Sequence, residues 1–189
     1  MGWKPGRHHK EAFIEDFKSR PTIRGLAGEF VVAKILNNLK RKYGIKFIRS
    51  FVIPNSENVW NVQLDILALT RKGFFVIEVK NWNCDLICGD ADDLYWVAQY
   101  GTSKYPERNP ILQNAWHVKK LSYLTESEYS SLICICNNCN LLGKPHENMI
   151  TYSQIDEYLD KLPDIYTDEE IALEYEELSK IRRYYESII

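Results

Sequence analysis

The chain has 189 residues and a nearly balanced charge, with 24 Lys and Arg against 26 Asp and Glu. Its hydrophobic share of 45% is that of an ordinary globular chain, which excludes a disordered, collagen-like or coiled-coil protein. No apolar run approaches the roughly 20 residues that span a bilayer, and the first residues form no apolar leader, so we expect a soluble, cytoplasmic protein that does not bind membranes.

Charge is distributed unevenly along the chain. Residues 1–50 carry 12 Lys and Arg against 4 Asp and Glu, whereas residues 51–189 carry 12 against 22. The basic part suits a local face that attracts phosphate, although the net charge of −2 argues against a protein that coats nucleic acid by bulk electrostatics. Solvated helix faces explain the same basic runs equally well.

The spacing of apolar residues predicts the elements of the first half. Residues 1–21 are polar with a short apolar patch, and we expect an arm or a helix there. A helix is predicted over 25–39 because apolar residues recur at helical spacing, at Val32, Ile35, Leu36 and Leu39. Strands are predicted at 47–53, 63–69, 74–80, 86–89 and 95–97, with a polar loop at 54–58 after the first. The polar turn at 70–73 joins the second strand to the third as a hairpin.

Capping residues and one apolar run predict the helices and strands of the second half of the chain. Asn109 and Pro110 open a helix over 111–125, with proline in the first turn. A buried strand is predicted at 131–136 and a short one at 149–152. Two helices follow, the first capped by Ser153 and Asp156 and the second by the capping box of Thr167 and Glu170.

This order of elements predicts an α/β fold, with a mixed central β-sheet flanked by helices on both faces. We divide the chain into an arm at 1–21, a main domain at 22–163 and a C-terminal amphipathic helix at 164–189 that packs on the domain or extends it.

The five cysteines are an odd number and do not suggest a disulfide framework. Two groups remain candidates for metal binding: Cys84 with Cys88, and Cys134, Cys136 and Cys139 with His146. The predicted strand at 131–136 makes its two cysteines small hydrophobic residues, and no second Cys-x-x-Cys completes a zinc site. Structural thiols are therefore the favoured interpretation, with zinc as the alternative.

The predicted hairpin brings two acidic residues together. Its register places Asp65 opposite Glu78, and Lys80 lies two residues further on the same face. The neighbouring residues of both strands are apolar at odd and at even positions, so both faces of the hairpin carry apolar side chains. This indicates strands that are covered on both sides. Two carboxylates in such a place repel each other, and a hard cation such as Mg²⁺ or Mn²⁺ would neutralise them, with the Val79 carbonyl as a further ligand. A Lys80 ion pair without function is the alternative.

Two helices offer further polar groups on faces that should be apolar. Glu29 lies three residues before the inward-facing Val32, and Gln113 lies one turn before His117 near residues that should pack inward. Simpler explanations are an exposed Gln113 and a Glu29 that favours the helix dipole.

Several runs resemble the NERD (nuclease-related) domain over roughly residues 22–125. They are GLAGE at 25–29, QLD at 63–65, GFFVIEVKNW at 73–82, LICG at 86–89 and NPILQN at 109–114. That family is placed in the PD-(D/E)XK nuclease superfamily, so the resemblance implies a restriction-endonuclease-like core. One departure is Cys84, which stands where the family usually has glycine.

The resemblance also implies roles for residues. Asp65 and Glu78 match the metal ligands and Lys80 the catalytic lysine, while Glu29 and Gln113 match the glutamate and glutamine of the two helices. The implied activity is a Mg²⁺-dependent or Mn²⁺-dependent nuclease that hydrolyses phosphodiester bonds, with DNA as the expected substrate and Glu29 reaching the metal through water.

Contacts to nucleic acid are expected from basic and aromatic residues, namely Arg24, Lys40, Arg41, Lys42, Trp82 and Lys104. The acidic segment 156–189 suggests a homodimer or a partner protein. Three alternatives remain open: a catalytically silent nuclease-fold module that binds nucleic acid or a partner, a cysteine-based metal or redox protein, and a structural subunit of a larger defence or repair complex.

Overall fold

The computed structural model describes residues 23–53, 62–136, 139–142 and 146–187. The predicted arm at 1–21 and the predicted loop at 54–58 lie outside the described residues. Within the described part, no helix has the length and apolar character needed to cross a membrane.

The first helix, α1, spans Ile23–Tyr43 and is longer than predicted at both ends. It buries a stripe that includes Val32, Ala33 and Leu36, in agreement with the helical spacing of the apolar residues. The helix stops at Gly44, whose φ of 67° lies in the left-handed region that glycine adopts without steric cost.

A five-stranded sheet forms the centre of the fold, with the order β1-β2-β3-β7-β9. Strands β1, β2 and β3 pair antiparallel, whereas β3, β7 and β9 pair parallel. Their bounds are Lys46–Ile53, Val62–Thr70, Gly73–Lys80, Ser130–Ile135 and Met149–Thr151. Ile66 pairs with Ile77 and Thr70 with Gly73, which confirms the predicted hairpin register.

Helices cover both faces of this sheet, which confirms the predicted fold class. On one face, α1 packs with a short helix α3, Ile155–Asp160, over a cluster that includes Ile77 and Leu132. On the other face, α2, Pro110–Thr125, and α4, Asp168–Glu186, contribute Leu121 and Leu178 to a second cluster. The architecture is consistent with a restriction-endonuclease-like core.

A second, four-stranded sheet was not predicted. Its order is β6-β5-β4-β8, and the strands span Ser103–Arg108, Tyr95–Tyr100, Leu86–Cys88 and Asn140–Leu142. The sequence predicted β4 and the start of β5 but missed β6 and β8. Strand β6 contains one proline and no aliphatic residue, so it lacks the alternation that identifies a strand.

The predicted cap at Ser153 and Asp156 is wrong. A 3₁₀ turn at Tyr152–Gln154 precedes α3, and the capping box is formed by Thr151 and Gln154, with the Thr151 N–H donating to Gln154 Oε1 at 2.9 Å. The capping box of Thr167 and Glu170 is confirmed, since each side chain accepts a hydrogen bond from the backbone N–H of the other.

Candidate active site

Polar groups converge at the end of β3, where the central strand meets α1 and α2. Glu78 and Glu29 are both 4% exposed, so these carboxylates lie inside the fold. An ionised group that is buried in this way requires partners, because desolvation otherwise costs several kcal/mol. Charged or hydrogen-bonding groups are therefore expected next to both carboxylates.

Asp65 enters from β2 and is half-buried. Its Oδ2 accepts a hydrogen bond from the Val79 N–H at 2.8 Å, which ties the side chain to the backbone of the neighbouring strand. Burial and the negative charge of Glu78 raise the pKa of Asp65 well above its ordinary value, and the Val79 hydrogen bond only partly offsets them. The charge of Glu78 therefore acts on Asp65 across the two strands and disfavours its ionised form.

Glu78 is held from both sides. Lys80 Nζ lies 2.9 Å from Oε1 and His117 Nδ1 lies 3.4 Å from Oε2. Burial by itself would raise the pKa of Glu78, but the charge of Lys80 and the contact with His117 outweigh it and lower the pKa to about 2. The Lys80 ammonium therefore favours the ionised form of this buried carboxylate.

Lys80 connects the strand to the helix. Its ammonium donates to Gln113 Oε1 at 3.1 Å while it pairs with Glu78. Burial acts to lower the pKa of Lys80, yet the nearby Glu78 and Asp65 raise it above its ordinary value. The ammonium therefore stays charged in a pocket where its side chain is only 15% exposed.

Helix α2 supplies Gln113 and His117 in a defined orientation. Asn109 caps its first turn by accepting from the Ile111 N–H at 2.9 Å, and Pro110 occupies the first helical turn. Asn114 is fully buried, and its Nδ2 lies 2.8 Å from both the Val76 carbonyl and Ser131 Oγ. These bonds join α2 to β3 and β7, which fixes the rotation of the helix.

Helix α1 supplies Glu29, whose Oε2 lies 3.6 Å from Arg49 Nη2 on β1. Burial raises the pKa of Glu29, while the Arg49 charge opposes that change. The helix approaches β3 closely because Gly28 has no side chain: a Cβ there would lie 3.1 Å from both Val79 Cγ1 and Asn81 Cβ. Asn81 in turn donates to the Arg24 carbonyl at 2.9 Å.

The donor set suits a hard divalent cation. Within the described ranges, no three or more His, Cys, Asp and Glu side chains form a group that could hold a metal ion. Asp65 and Glu78 would hold such an ion as its two side-chain ligands, together with the Val79 carbonyl and water. Mg²⁺ is commonly bound by one or two carboxylates with several waters retained. A cation there would also relieve the repulsion that raises the pKa of Asp65.

The expected nucleic-acid contacts divide into two groups. Arg24 lies at the start of α1 beside the site, where its carbonyl accepts a hydrogen bond from Asn81, the residue after Lys80. Lys104 is exposed on β6. In contrast, residues 40–42 lie at the opposite end of α1, where Arg41 is about 18 Å from Glu29 along the helix axis.

Two of the expected residues have other contacts in the structure. Lys42 Nζ lies 2.8 Å from Asp156 and 3.2 Å from Asp160. Trp82 is 8% exposed and packs against Trp96, with ring centroids 6.2 Å apart. Trp82 therefore has little surface for stacking on a base.

Several residues near the site were not assigned a role from sequence. His117 was noted only as a neighbour of Gln113, and Arg49 and Asn114 were missed because strand residues and helix amides give no distinctive pattern. Tyr100 and Tyr105 form an exposed aromatic pair, 40% and 56% accessible, with ring centroids 5.8 Å apart. An aromatic residue beside a basic one, as in Lys104 and Tyr105, was the available signal.

Together, the mixed sheet with helices on both faces and the buried acid, acid and lysine group define a nuclease-related α/β domain. The chain belongs to the NERD (nuclease-related domain) family, whose sequence model matches residues 24–138. This match confirms the resemblance and is consistent with the PD-(D/E)XK superfamily. No curated protein and no solved structure matches the chain.

Proposed function

We propose that this protein is a metal-dependent nuclease that hydrolyses phosphodiester bonds of nucleic acid, with DNA as its substrate. Membership of a nuclease-related family supports the general role. The observation that carries the proposal is the contact of Lys80 with both Glu78, at 2.9 Å, and Gln113, at 3.1 Å, next to the second carboxylate of Asp65.

The residues of the site have separable tasks in this mechanism. When bound by Asp65, Glu78 and the Val79 carbonyl, Mg²⁺ or Mn²⁺ supplies Lewis-acid polarisation of the phosphodiester. Lys80 holds a positive charge where negative charge develops on the phosphate in the transition state, and it orients the attacking water. Gln113 fixes the direction of the Lys80 ammonium. His117 Nδ1 lies 3.4 Å from Oε2 of Glu78, on the side opposite the Lys80 contact.

Glu29 has an indirect role in the proposal. Its pKa is raised by burial and also by the charge of Glu78, which indicates that the two carboxylates sense each other. Arg49, at 3.6 Å, balances the charge of Glu29 from strand β1. Glu29 would reach a bound ion only through water.

The substrate strand is proposed to lie between the start of α1 and the β5–β6 hairpin. Arg24 and Lys104 are exposed there and would contact phosphates, because such contacts come mainly from Arg and Lys side chains. The exposed rings of Tyr100 and Tyr105 provide stacking surface for unpaired bases. Residues 40–42 are proposed to contribute less to nucleic-acid binding, since Lys42 already pairs with two carboxylates.

The proposal is tested by cleavage of supercoiled plasmid and of single-stranded DNA with Mg²⁺, with Mn²⁺ and with EDTA. Wild-type protein is compared with Asp65→Asn, Lys80→Ala and the surface control Lys161→Ala, whose ammonium pairs with exposed Glu157. We expect metal-dependent cleavage that the first two variants lose and the control keeps. Equal activity in all four proteins would refute the assignment.

A second candidate function is a silent nuclease-fold module that binds nucleic acid or a partner protein. It is favoured by the ion pair of Glu78 with Lys80 at 2.9 Å, which compensates the carboxylate without a metal ion. In that case the wild-type protein and Lys80→Ala would bind DNA alike, and neither would cleave any substrate in the presence of metal.

A protein partner or a second copy would use α4. Its apolar residues Ile171 and Leu178 are buried against the sheet. Asp168 pairs with Arg71 and Glu170 belongs to the capping box, whereas Glu169, Glu176 and Glu177 are exposed acidic residues of this helix. The partner surface that fits this helix is therefore basic.

A further inference from the structure

Two thiols approach each other closely beyond the candidate active site. Cys84 Sγ lies 2.9 Å from Cys139 Sγ, although the two residues are 55 positions apart in the chain. Cys84 is buried in the segment that leaves β3, four residues after Lys80, and Cys139 directly precedes β8. This contact is independent of the proposed nuclease function.

The backbone on both sides of the contact is held by the second sheet. Leu86 of β4 pairs in parallel with Asn140 of β8, and the Asn140 N–H donates to the Asp85 carbonyl at 3.4 Å. The two segments thus lie side by side as neighbouring strands. A disulfide requires an S–S separation of about 2.0 Å, so the sulfurs need to move by less than about 1 Å.

The other three cysteines are placed differently. Cys88 is exposed on β4, and Cys134 is fully buried in the core. Cys136 lies two residues after Cys134, and its Sγ donates to the Gly28 carbonyl at 3.7 Å. The side chains of Cys134 and Cys136 also share a hydrogen bond, but they are close neighbours in one segment of the chain. Cys84 and Cys139 are the pair that brings sulfurs from two distant segments together, and Cys139 is half-exposed.

We propose that Cys84 and Cys139 form an oxidation site that closes to a disulfide with a two-electron oxidant of the disulfide class. With oxidised glutathione, one protein thiolate attacks a glutathione sulfur and releases one reduced glutathione. The second protein thiol then attacks the mixed disulfide and releases the other. Two protein thiols lose two electrons and two protons, which the two glutathione molecules carry away, so the reaction balances.

The environment of Cys139 opposes the formation of its thiolate. Burial and the hydrogen bond with Cys84 raise the pKa of the Cys139 thiol to about 12. The thiolate is the reactive form, so attack by Cys139 is favoured by a rise in pH. Once formed, the cross-link joins the segment after Lys80 to the segment after β7 and closes a long loop of the unfolded chain.

The test uses the full-length chain in buffers of reduced and oxidised glutathione at defined ratios. After quenching and alkylation, peptide mapping by mass spectrometry identifies the linked cysteines. We expect a Cys84–Cys139 peptide, the loss of two of the five thiols, and an upward shift of the unfolding midpoint on the order of 10 °C in the oxidised protein.

Variants provide matched controls. Cys139→Ala at a half-exposed position should abolish the linked peptide and the shift, whereas Cys88→Ala at an exposed position should leave both unchanged. The proposal is overturned if both thiols stay reduced or carry separate glutathiones in oxidising buffer, or if the linkage joins other cysteines. It is also overturned if a stoichiometric metal bound to both sulfurs prevents oxidation until a chelator removes it.

Discussion

Lys80 Nζ lies 2.9 Å from Glu78 Oε1 at the end of the central strand β3, and both side chains are largely buried. The ion pair therefore has two consequences at once. It keeps a carboxylate ionised inside the fold, and it holds an ammonium beside the carboxylate of Asp65.

The first prediction concerns the stability that Lys80 provides. Lys80→Ala leaves the Glu78 carboxylate buried without its main cation, and we expect the free energy of unfolding to fall by about 3 kcal/mol. Urea titration at neutral pH measures the change. Lys161→Ala, which removes one exposed helical pair with Glu157, should change stability by at most about 0.5 kcal/mol. Equal losses in the two variants would contradict the prediction.

The second prediction is that Asp65 costs stability. Its pKa is raised by burial and by Glu78, so the ionised group is unfavourable in the folded state. Asp65→Asn keeps an oxygen that can accept from the Val79 N–H, and we expect it to stabilise the metal-free protein by about 1 kcal/mol. It should lose nuclease activity at the same time.

Asp156, a carboxylate whose pKa is shifted in the opposite direction, provides the control for this measurement. The pKa of Asp156 is lowered, mainly by its hydrogen bond with Lys42 and also by Tyr43, so Asp156→Asn should destabilise the protein. If both substitutions shift the urea midpoint in the same direction, the repulsion assigned to Asp65 is not present.

The third prediction is the pH dependence of the stability difference between Asp65→Asn and the wild-type protein. Since the folded-state pKa of Asp65 lies above its ordinary value of 3.8, the folded state binds more protons than the unfolded state between these two values. Asp65 therefore adds to stability as pH falls through this window. The advantage of Asp65→Asn over wild type should be largest at neutral pH and should shrink on acidification. Glu78, with its pKa lowered to about 2, behaves in the opposite way.

Parallel urea titrations from pH 7 to about pH 4 measure this difference between the two proteins, with EDTA present to exclude metal. A stability difference that stays constant over this range would contradict the raised pKa.

The fourth prediction separates the two basic groups on the surface. Arg24→Ala and Lys104→Ala should each weaken oligonucleotide binding and lower the slope of log K against log salt by about 1, because each removes one phosphate contact. Lys42→Ala is the control, since Lys42 pairs with Asp156 and Asp160 at the far end of α1.

Binding is measured with a fluorescent single strand in EDTA, so that cleavage does not interfere. A Lys42→Ala slope change as large as that of Arg24→Ala would instead place the nucleic acid along the basic end of α1.

Sequence alone determined the central hairpin and its charges. Strand pairing has a period of two residues and the turn between Thr70 and Gly73 is short, so counting gives the Ile66–Ile77 pair, and Asp65 and Glu78 are the next residues beyond it. The capping box of Thr167 and Glu170 also follows from the sequence, because its two residues are only three positions apart. The family resemblance rested on the same short runs, and the match over residues 24–138 confirms it.

The other features of the site and the fold were decided by tertiary structure, because these features depend on contacts between residues far apart in the chain. The His117 contact with Glu78 requires the rotation of α2 that Asn114 fixes on two strands. The pairing of Lys42 with Asp156 spans 114 residues. Strand β6 has no apolar alternation of its own and becomes a strand only by pairing with β5. Local spacing encodes periodicity, whereas the choice of partner is made by the packing of the whole fold.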